Sequence, residues 1–306
     1  MTSLDDKIKY NKSSADDFGW SPEWFGLAID QFDQKLIEII EEFQTGYDLE
    51  ADGMVGPSTF RRLYAYISLE QAEKDQIQIE STIDNYIYYN GVPQKIMWSK
   101  VVNWFDEGGL TCKSRKSSVK KTMFINHWDV CVNSRQMARV LKARSLGVHF
   151  AIDYDGCIYG LCDMSEIAYH AAGHNSHAIG VEICNPYALH YQDYYKKTPF
   201  GERPVITNDY VHGKKLKPHL GFYKHQLDAL AALWSAVSLS TGIPLQVPNN
   251  PDRVDHFVAS GSYTGFVKHL NTTRRKIDPG GQKSLDMHEI QEKAILIKLA
   301  MQKNRL

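Results

Sequence analysis

The stretch Phe124-Ile125-Asn126-His127-Trp128-Asp129 is the best guide to the architecture of this chain, because it predicts a short buried strand that ends at a histidine and a carboxylate. Far along the chain, Lys276-Ile277-Asp278-Pro279-Gly280 offers a second carboxylate, with His269 nine residues before Asp278. Two imidazoles and one carboxylate are a recurring zinc ligand set that leaves a fourth position open for water. The two stretches are therefore candidates for the two halves of a metal site.

Hydrophobic periodicity around the first stretch predicts an α/β domain from Thr122 onward. Short strands are expected at Met123–Ile125, His149–Ile152, Ile158–Leu161 and Ala178–Ile183, and helices at Ser134–Leu146, His225–Ser240 and Leu285–Met301. Residues 191–222 contain many aromatic residues, lysines and prolines without clear periodicity. Such a long irregular segment is typical of a functional lid or rim.

The first seventy residues predict a small helical module. Ser21-Pro22-Glu23 has the sequence of a helix start, with serine as the cap and proline at the first helical position. Apolar residues recur between Phe32 and Phe43 at the spacing of an amphipathic helix. Asp52-Gly53 predicts a tight turn, and Gly56-Pro57 ends one element before a last helix begins.

The composition is ordinary for a globular protein, and 306 residues are enough for roughly two domains. A net charge of −1 gives no electrostatic argument for binding nucleic acid or an anionic membrane surface. The chain has no apolar run of membrane-spanning length and a polar N-terminus, so we expect neither membrane insertion nor a signal peptide. Five scattered cysteines, an odd number, predict buried free thiols and no disulfide framework.

Four blocks follow one another between about residues 120 and 281. They are Phe124–Trp128, Gly147–Asp153 with Asp155–Tyr159, Ala168–Gly173 with Asn175 and Ile179–Ile183, and His269 with Lys276–Gly280. In this order the blocks resemble the zinc-dependent type 2 N-acetylmuramoyl-L-alanine amidases. That family includes phage lysozyme-amidases and is related to peptidoglycan recognition proteins. The resemblance implies an α/β fold with a mixed central β-sheet flanked by helices.

The resemblance also implies a metal site and its ligands. The zinc ligands would be His127, His269 and Asp278. His256 stays open as an alternative to His269, because both histidines lie upstream of Asp278. The residue before the second histidine is usually glycine or serine in the family, but here it is Lys268. Lys276 would stabilise the oxyanion that develops during hydrolysis.

The general base that the resemblance implies is Glu182. Some family members place a tyrosine immediately before the pair that corresponds to His149-Phe150, but this chain has Val148 there. Other members use a glutamate on the later strand, which is Glu182 here. Burying a carboxylate in the apolar run Ile179–Ile183 is costly and would raise its pKa toward that of a useful base. Substrate contacts are expected from His170 and Asn175.

Residues of about 20–70 contain the string Asp52-Gly53-Met54-Val55-Gly56-Pro57-Ser58-Thr59-Phe60. With its flanking helices, this string resembles the three-helix peptidoglycan-binding module found beside many wall hydrolases. The alternative is that its glycines and proline only form turns in a helical bundle. The expected domains are a helical peptidoglycan-binding module at 1–75, a connecting segment at 76–95 and a zinc amidase domain at 96–306.

The activity implied by the resemblance is zinc-dependent hydrolysis of the amide between N-acetylmuramic acid and L-alanine in bacterial peptidoglycan. Two alternatives stay open: a recognition protein that binds peptidoglycan without cutting it, and a zinc peptidase that cuts within the stem peptide. The expected setting is a phage endolysin or an injected cell-wall toxin, made in the cytoplasm and acting on the wall after release or injection. A holin, a secretion apparatus or an immunity protein would then be a partner, and nucleic acid would not.

Overall fold

A mixed six-stranded β-sheet lies at the centre of the computed structural model, which describes residues 2–69, 85–105 and 110–303. With strands numbered in chain order, the sheet order is β14 (Gly265–Lys268), β5 (Met123–Trp128), β9 (Ala178–Ile183), β6 (Phe150–Ile152), β7 (Ile158–Gly160) and β3 (Val101–Asn103). Every neighbouring pair is parallel except β6 with β7. The carboxyl ends of β14, β5, β9 and β6 therefore meet at one edge of the sheet.

Helices cover both faces of this sheet, which confirms the predicted α/β class. In chain order the helices are α1 (Leu4–Phe18), α2 (Gln34–Gly46), α3 (Pro57–Ile67), α4 (Ser134–Ala143), α5 (Gln192–Lys196), α6 (Lys224–Thr241), α7 (His256–Ala259) and α8 (Met287–Lys303). Apolar residues of α6 and α8 share one buried cluster with residues of β5, β9 and β14. Helix α4 packs against the other face, near β6 and β7.

The remaining strands form two-stranded pairs outside the central sheet. They are β1 (Tyr86–Tyr89) with β2 (Val92–Lys95), β4 (Ser114–Arg115) with β8 (Ile167–Ala168), β10 (Val205–Ile206) with β13 (His219–Leu220), and β11 (Tyr210–Val211) with β12 (Lys214–Lys215). All four pairs are antiparallel.

Strand alternation places two polar side chains on the same face of the sheet. On β5, Phe124 and Trp128 belong to the cluster beneath α6 and α8, so His127 points to the opposite face. On β9, Val181 and Ile183 belong to that same cluster, which puts Glu182 on the face of His127. The parallel register pairs His127 directly with Glu182 near the carboxyl ends of their strands. This edge is the usual place for a site in an α/β sheet.

The predicted elements of the sheet domain agree with the structure in type, and most differ only at their ends. Strand β9 has the predicted bounds, whereas β5 extends to Trp128. Helix α4 ends at Ala143 and not at Leu146, because the chain turns there and the Leu146 amide donates to the Leu141 carbonyl.

The irregular segment predicted at 191–222 is ordered around one buried arginine. The Arg203 guanidinium donates to the carbonyls of Gly221 and Cys184 at 3.0 Å each. It also stacks on Tyr195 and Tyr223, with its central carbon 4.1 and 4.7 Å from the two ring centroids. The segment also contains the short helix α5 and the two-residue strands β10–β13, which the sequence did not predict because elements this short show no periodic pattern.

The first three helices form the predicted small helical module, but its details differ from the sequence interpretation. A helical element does begin at Ser21-Pro22 as predicted, but it is a single 3₁₀ turn, Pro22–Phe25, that stops at Gly26, whose φ is +76°, and the Ser21 side chain makes no capping hydrogen bond. The following helix begins only at Gln34, where the Asp33 carboxylate accepts a hydrogen bond from the Leu36 amide at 3.1 Å. Helix α1 was not predicted, because it is mostly polar.

The Asp52–Phe60 string is held by hydrogen bonds inside the module. The Asn11 side chain donates to the Gly53 carbonyl at 2.9 Å and accepts from the Val55 amide at 2.8 Å. Gln44 accepts from the Gly53 amide at 2.9 Å. Gly53 has a φ of +73°, which favours glycine at this turn. The glycines of the string therefore serve as turn residues, and binding by the module stays a prediction.

The module packs directly on the sheet domain through α3 and α4. Gln136 on α4 donates to the Ala65 carbonyl at 2.9 Å and to the Ser68 hydroxyl at 3.0 Å. Ala65 also lies in one buried apolar cluster with Met137 and Leu141. Because these contacts are buried, they hold α3 at a fixed place beside the sheet.

The predicted connecting segment 76–95 is described only in part, since residues 76–84 lie outside the described residues. The rest of it forms the β1–β2 hairpin, whose Ile87 joins the main buried cluster beneath α6 and α8.

Two expectations from composition can be compared with the structure. All five cysteines are free thiols; four are buried and Cys112 is half-buried. Within the ranges that the structure describes, no helix combines the length and the apolar character needed to cross a membrane.

Candidate metal centre

Three side chains converge at the carboxyl edge of the sheet. His127 Nδ1 lies 2.9 Å from His269 Nδ1 and 3.2 Å from Asp278 Oδ2, and His269 Nδ1 lies 2.8 Å from the same oxygen. All three residues are buried. Among the described residues they are the one group of three or more potential metal-ligating side chains. Two imidazole nitrogens and a carboxylate oxygen directed at one point fit the donor set of a catalytic zinc ion.

Adjacent strands and one folded-back loop supply these donors. His127 is on β5, and His269 directly follows β14, the parallel neighbour of β5. The loop after His269 returns to it, because the Leu270 amide donates to the Asp278 carbonyl at 3.0 Å. A turn then closes at Gly280, where φ is +86° and the amide donates to the Ile277 carbonyl. The turn and the candidate ligand Asp278 are thus parts of one structure.

The protonation states of these side chains suit metal binding. Burial, reinforced by the nearby His269, lowers the pKa of His127 to about 3, so its imidazole is neutral. The pKa of Asp278 lies well below its usual value, because the charges and hydrogen bonds of His269 and His127 outweigh the effect of burial. Neutral imidazole and ionised carboxylate are the forms that ligate zinc.

The second ring nitrogen of His127 is held by His170. His127 Nε2 lies 3.1 Å from His170 Nδ1, so a tautomer with hydrogen on Nε2 leaves Nδ1 free for a metal. The His170 ring lies over Gly180 on β9, where an added Cβ would come within 2.5 Å of the ring. Asn175 Oδ1 accepts from the amides of His170 and Ala171. Both predicted substrate contacts, His170 and Asn175, make these internal contacts, and their contact with substrate stays a prediction.

Lys268 ties the ligand loop to the sheet. Its side chain is fully buried, and Nζ donates to the Gly280 carbonyl at 3.0 Å and to Asp252 Oδ1 at 2.8 Å. Burial lowers the pKa of Lys268, and Asp252 opposes that change. The lysine that departs from the family pattern therefore anchors the loop that carries Asp278.

Replacing Lys268 with methionine should loosen this loop. We expect the free energy of unfolding to fall by about 1–3 kcal/mol, because the buried Gly280 carbonyl loses its donor. Zinc affinity should fall by about 10- to 100-fold, since the anchor orients a ligand. Urea unfolding and competitive zinc titration measure both effects. Lys283→Met, at an exposed lysine of the same loop, is the control; equal zinc affinity in the two variants would disprove the anchoring role.

Glu182 is a buried carboxyl beside the three donors. It is 3% exposed, and its Oε2 has no hydrogen-bond partner among the described residues. Burial raises the pKa of Glu182 to about 8. This pKa already includes the effects of Arg61 and Lys276, which lower it, and of the Asp129 and Asp278 carboxylates, which raise it. The arrangement leaves a buried carboxyl with an unpartnered oxygen next to the candidate metal site.

Glu182 should make the metal-free protein less stable as pH rises. Its folded pKa of about 8 exceeds the ordinary value of 4.5, so between these values the folded chain holds a proton that the unfolded chain has lost. The stability contributed by the protonated form is complete below about pH 4.5 and is lost as pH rises through 8. In Glu182→Gln the free energy of unfolding, measured with urea, should not fall in this way. Across this pH range the difference in unfolding free energy between wild type and variant should change by about a few kcal/mol, as linkage predicts. If the unfolding free energies of wild type and variant changed with pH in the same way, this prediction would be contradicted.

A cavity of about 690 Å³ opens beside the donors. Lys276 and Asp278 line one side, and residues of α3 and of the preceding loop line the other. Burial lowers the pKa of Lys276, while the carboxylates of Asp278 and Glu182 oppose that change. The Lys276 side chain thus lines the same cavity as the carboxylate of the candidate ligand Asp278.

The structure separates the two histidines that the sequence left as alternatives. His269 is in the group with His127 and Asp278, whereas His256 is exposed on the short helix α7 and belongs to no such group in the described part of the chain. The orienting contact of His170 and the anchoring by Lys268 were not foreseen. The one sequence signal for the role of Lys268 was that the family usually has glycine or serine at this position.

Besides the exposed Arg275 next to Lys276, three further arginines that line the cavity were missed. Arg61 and Arg62 come from α3, and Arg144 ends α4. They lie outside the blocks that suggested the site, and nothing local in the sequence relates residue 61 to residue 276.

One family model and several solved structures are similar to the chain. The model described as Amidase_2: N-acetylmuramoyl-L-alanine amidase matches residues 114–281. This range includes every residue of the candidate site named from sequence and excludes helices α1–α3. No curated protein sequence matches the chain.

The similar structures share low sequence identity with this chain. The N-acetylmuramoyl-L-alanine amidase LysC from Clostridium intestinale URNW is 17% identical, with 63% of this chain and 96% of that chain covered and a TM-score of 0.38. Staphylococcus aureus hydrolase AmiA is 9% identical, with 66% and 84% covered and a TM-score of 0.40. Drosophila PGRP-LB is 14% identical, with 62% and 92% covered and a TM-score of 0.32.

Proposed function

The chain belongs to the N-acetylmuramoyl-L-alanine amidase family, and from this premise we propose that it is a zinc-dependent enzyme of bacterial peptidoglycan. The bond that it hydrolyses is the amide between N-acetylmuramic acid and L-alanine of the stem peptide. Family membership supports peptidoglycan amidase activity in general; zinc dependence and the residue roles below are our proposal.

The convergence of His127, His269 and Asp278 beside an unpartnered Glu182 is the observation that supports catalysis most directly. A protein that only binds peptidoglycan has no need to bury an unpaired carboxyl at this cost. A proton acceptor beside a three-donor metal site is what metal-assisted hydrolysis requires.

Each side chain then has a defined task. His127, His269 and Asp278 hold the ion, and His170 keeps the His127 ring in the ligating tautomer. Zinc, when bound, supplies a Lewis acid that acidifies water and polarises an amide carbonyl. Glu182 accepts the proton of the attacking water and returns it to the departing amine of L-alanine. Lys276 donates to the oxygen that becomes negative as the carbonyl is attacked.

Product analysis on purified peptidoglycan tests this function. The zinc-loaded full chain should release intact stem peptides with a free L-alanine amine, and a chelator should stop the release. Shortened peptides left on muramic acid would instead indicate a zinc peptidase. Binding to peptidoglycan without any release would indicate a recognition protein.

We also propose that the helical module contacts peptidoglycan and that the protein acts as a phage endolysin or an injected toxin. The first point is supported by the position of the module beside the catalytic cleft, where its Gly56-Pro57 segment lines the cavity. Expression in bacteria with and without a membrane-permeabilising partner tests the second point. Lysis only when the partner is present is the expected result.

A further inference from the structure

The cavity beside the candidate metal centre has walls from two parts of the chain. Arg61 and Arg62 come from α3 of the N-terminal module. Arg144, Lys276 and Asp278 come from the sheet domain. Arg61 lies close enough to the catalytic residues that its charge lowers the pKa of both Glu182 and Lys276. The module is thus one side of the catalytic cleft.

The arginines of this cavity have no anionic partner. Among the described residues, none of Arg61, Arg62 and Arg144 makes an ion pair. The Nη1 atoms of Arg62 and Arg144 are buried and have no hydrogen-bond partner in the part of the chain that the structure describes. The Arg62 guanidinium lies over the Tyr187 ring, 5.6 Å from its centroid, which fixes its direction. Burial, and then the charge of Arg61, lower the pKa of Arg62 and of Arg144 to about 10.

The acidic side chains of the cavity do not neutralise these charges. Asp278 Oδ2 lies 3.2 and 2.8 Å from the Nδ1 atoms of His127 and His269, and Asp52 accepts from an amide of its own loop. Asp48 pairs with Lys217, and Glu50 is exposed. Buried donors without partners and converging like charges are both unfavourable, and a bound anion relieves both at once.

The arginines are also held in place. Helix α3 is fixed against α4 by the buried hydrogen bonds of Gln136 to Ala65 and Ser68. Arg144 directly follows α4, and its amide donates to the carbonyls of Val140 and Leu141. Helices α3 and α4 therefore form one packed unit, so the backbone positions from which the three arginines extend are fixed before a ligand arrives.

We propose that Arg61 and Arg62 of the N-terminal module, together with Arg144, form a subsite for the C-terminal carboxylate of the stem peptide of the substrate. This inference rests on the proposed function, because the cavity that holds the arginines also holds Asp278 and Lys276. An anion bound there thus belongs to the molecule whose amide is cleaved. Guanidinium groups suit a carboxylate because they bind it with two parallel hydrogen bonds.

The test uses two soluble muramoyl peptides that differ only in a free C-terminal carboxylate or a carboxamide. The zinc-loaded full chain should cleave the carboxylate form with a kcat/KM about 10- to 100-fold higher, mainly through KM. In Arg61→Met and Arg144→Met this ratio should fall toward one, and Arg61→Lys should retain part of it. Arg115→Met, at an exposed arginine on β4, is the control and should keep the wild-type ratio.

The possible outcomes separate this inference from the function on which it depends. Equal cleavage of the two peptides by the wild type would overturn the carboxylate subsite and leave the amidase function standing. An unchanged preference in both methionine variants would remove the arginines from recognition. If the wild type cleaved neither peptide and released nothing from peptidoglycan, the proposed function would fail and the subsite with it.

Discussion

Glu182→Gln should retain the zinc ion and lose most of its hydrolytic activity. Glutamine has nearly the same shape as glutamate but cannot accept the proton of the attacking water. General-base removal typically costs about 10²- to 10⁴-fold in rate, and we expect kcat to fall within this range. Glu182 lies opposite His127 in the strand register and is not one of the three converging donors, so the metal site itself should survive.

Metal content and peptide release from purified peptidoglycan, measured on the same preparation, check this prediction. Glu292→Gln, at an exposed glutamate on α8, is the matched control and should behave as the wild type. Full activity of Glu182→Gln would exclude this residue as the base. Loss of zinc from the variant would mean that Glu182 supports the metal site and not the proton transfer.

Asp278→Asn should lose the metal first and activity as a consequence. The Asp278 carboxylate is the one charged donor of the three, and its Oδ2 lies within 3.2 Å of both histidine nitrogens. Removing a residue that only orients a ligand weakens metal binding by about 10- to 100-fold, so removing a direct ligand should cost at least about 100-fold. Turnover at limiting zinc should fall below detection.

Zinc titration separates this variant from the previous one. Excess zinc should restore part of the activity of Asp278→Asn, whereas no zinc concentration should rescue Glu182→Gln. Asp17→Asn, at an exposed aspartate on α1, controls for the loss of a carboxylate. Wild-type zinc affinity in Asp278→Asn would show that this residue is not a ligand.

The sheet and its helices could be predicted because their signals are local. Strand β9 was predicted to the residue, since an apolar run with one glutamate has a strand pattern and ends at clear loop residues. Helix α1 could not be predicted, because its buried residues are Asn11, Ser14 and Ala15 and no apolar stripe marks its inner face. Its packing depends on hydrogen bonds of Asn11 to a loop more than forty residues away.

The identities of the candidate ligands also came from local sequence, since blocks around His127 and Lys276–Gly280 resemble those of a known family. The spatial arrangement of these candidate ligands could not be predicted from local sequence. The neighbouring parallel strands β5 and β14 bring residues 127 and 269 together, and Lys268 anchors the loop that returns Asp278 to them. The arginines of the cleft depend wholly on how α3 packs against α4. Short-range periodicity can specify elements and motifs, but residues 61 and 276 come to line one cavity only when those elements pack.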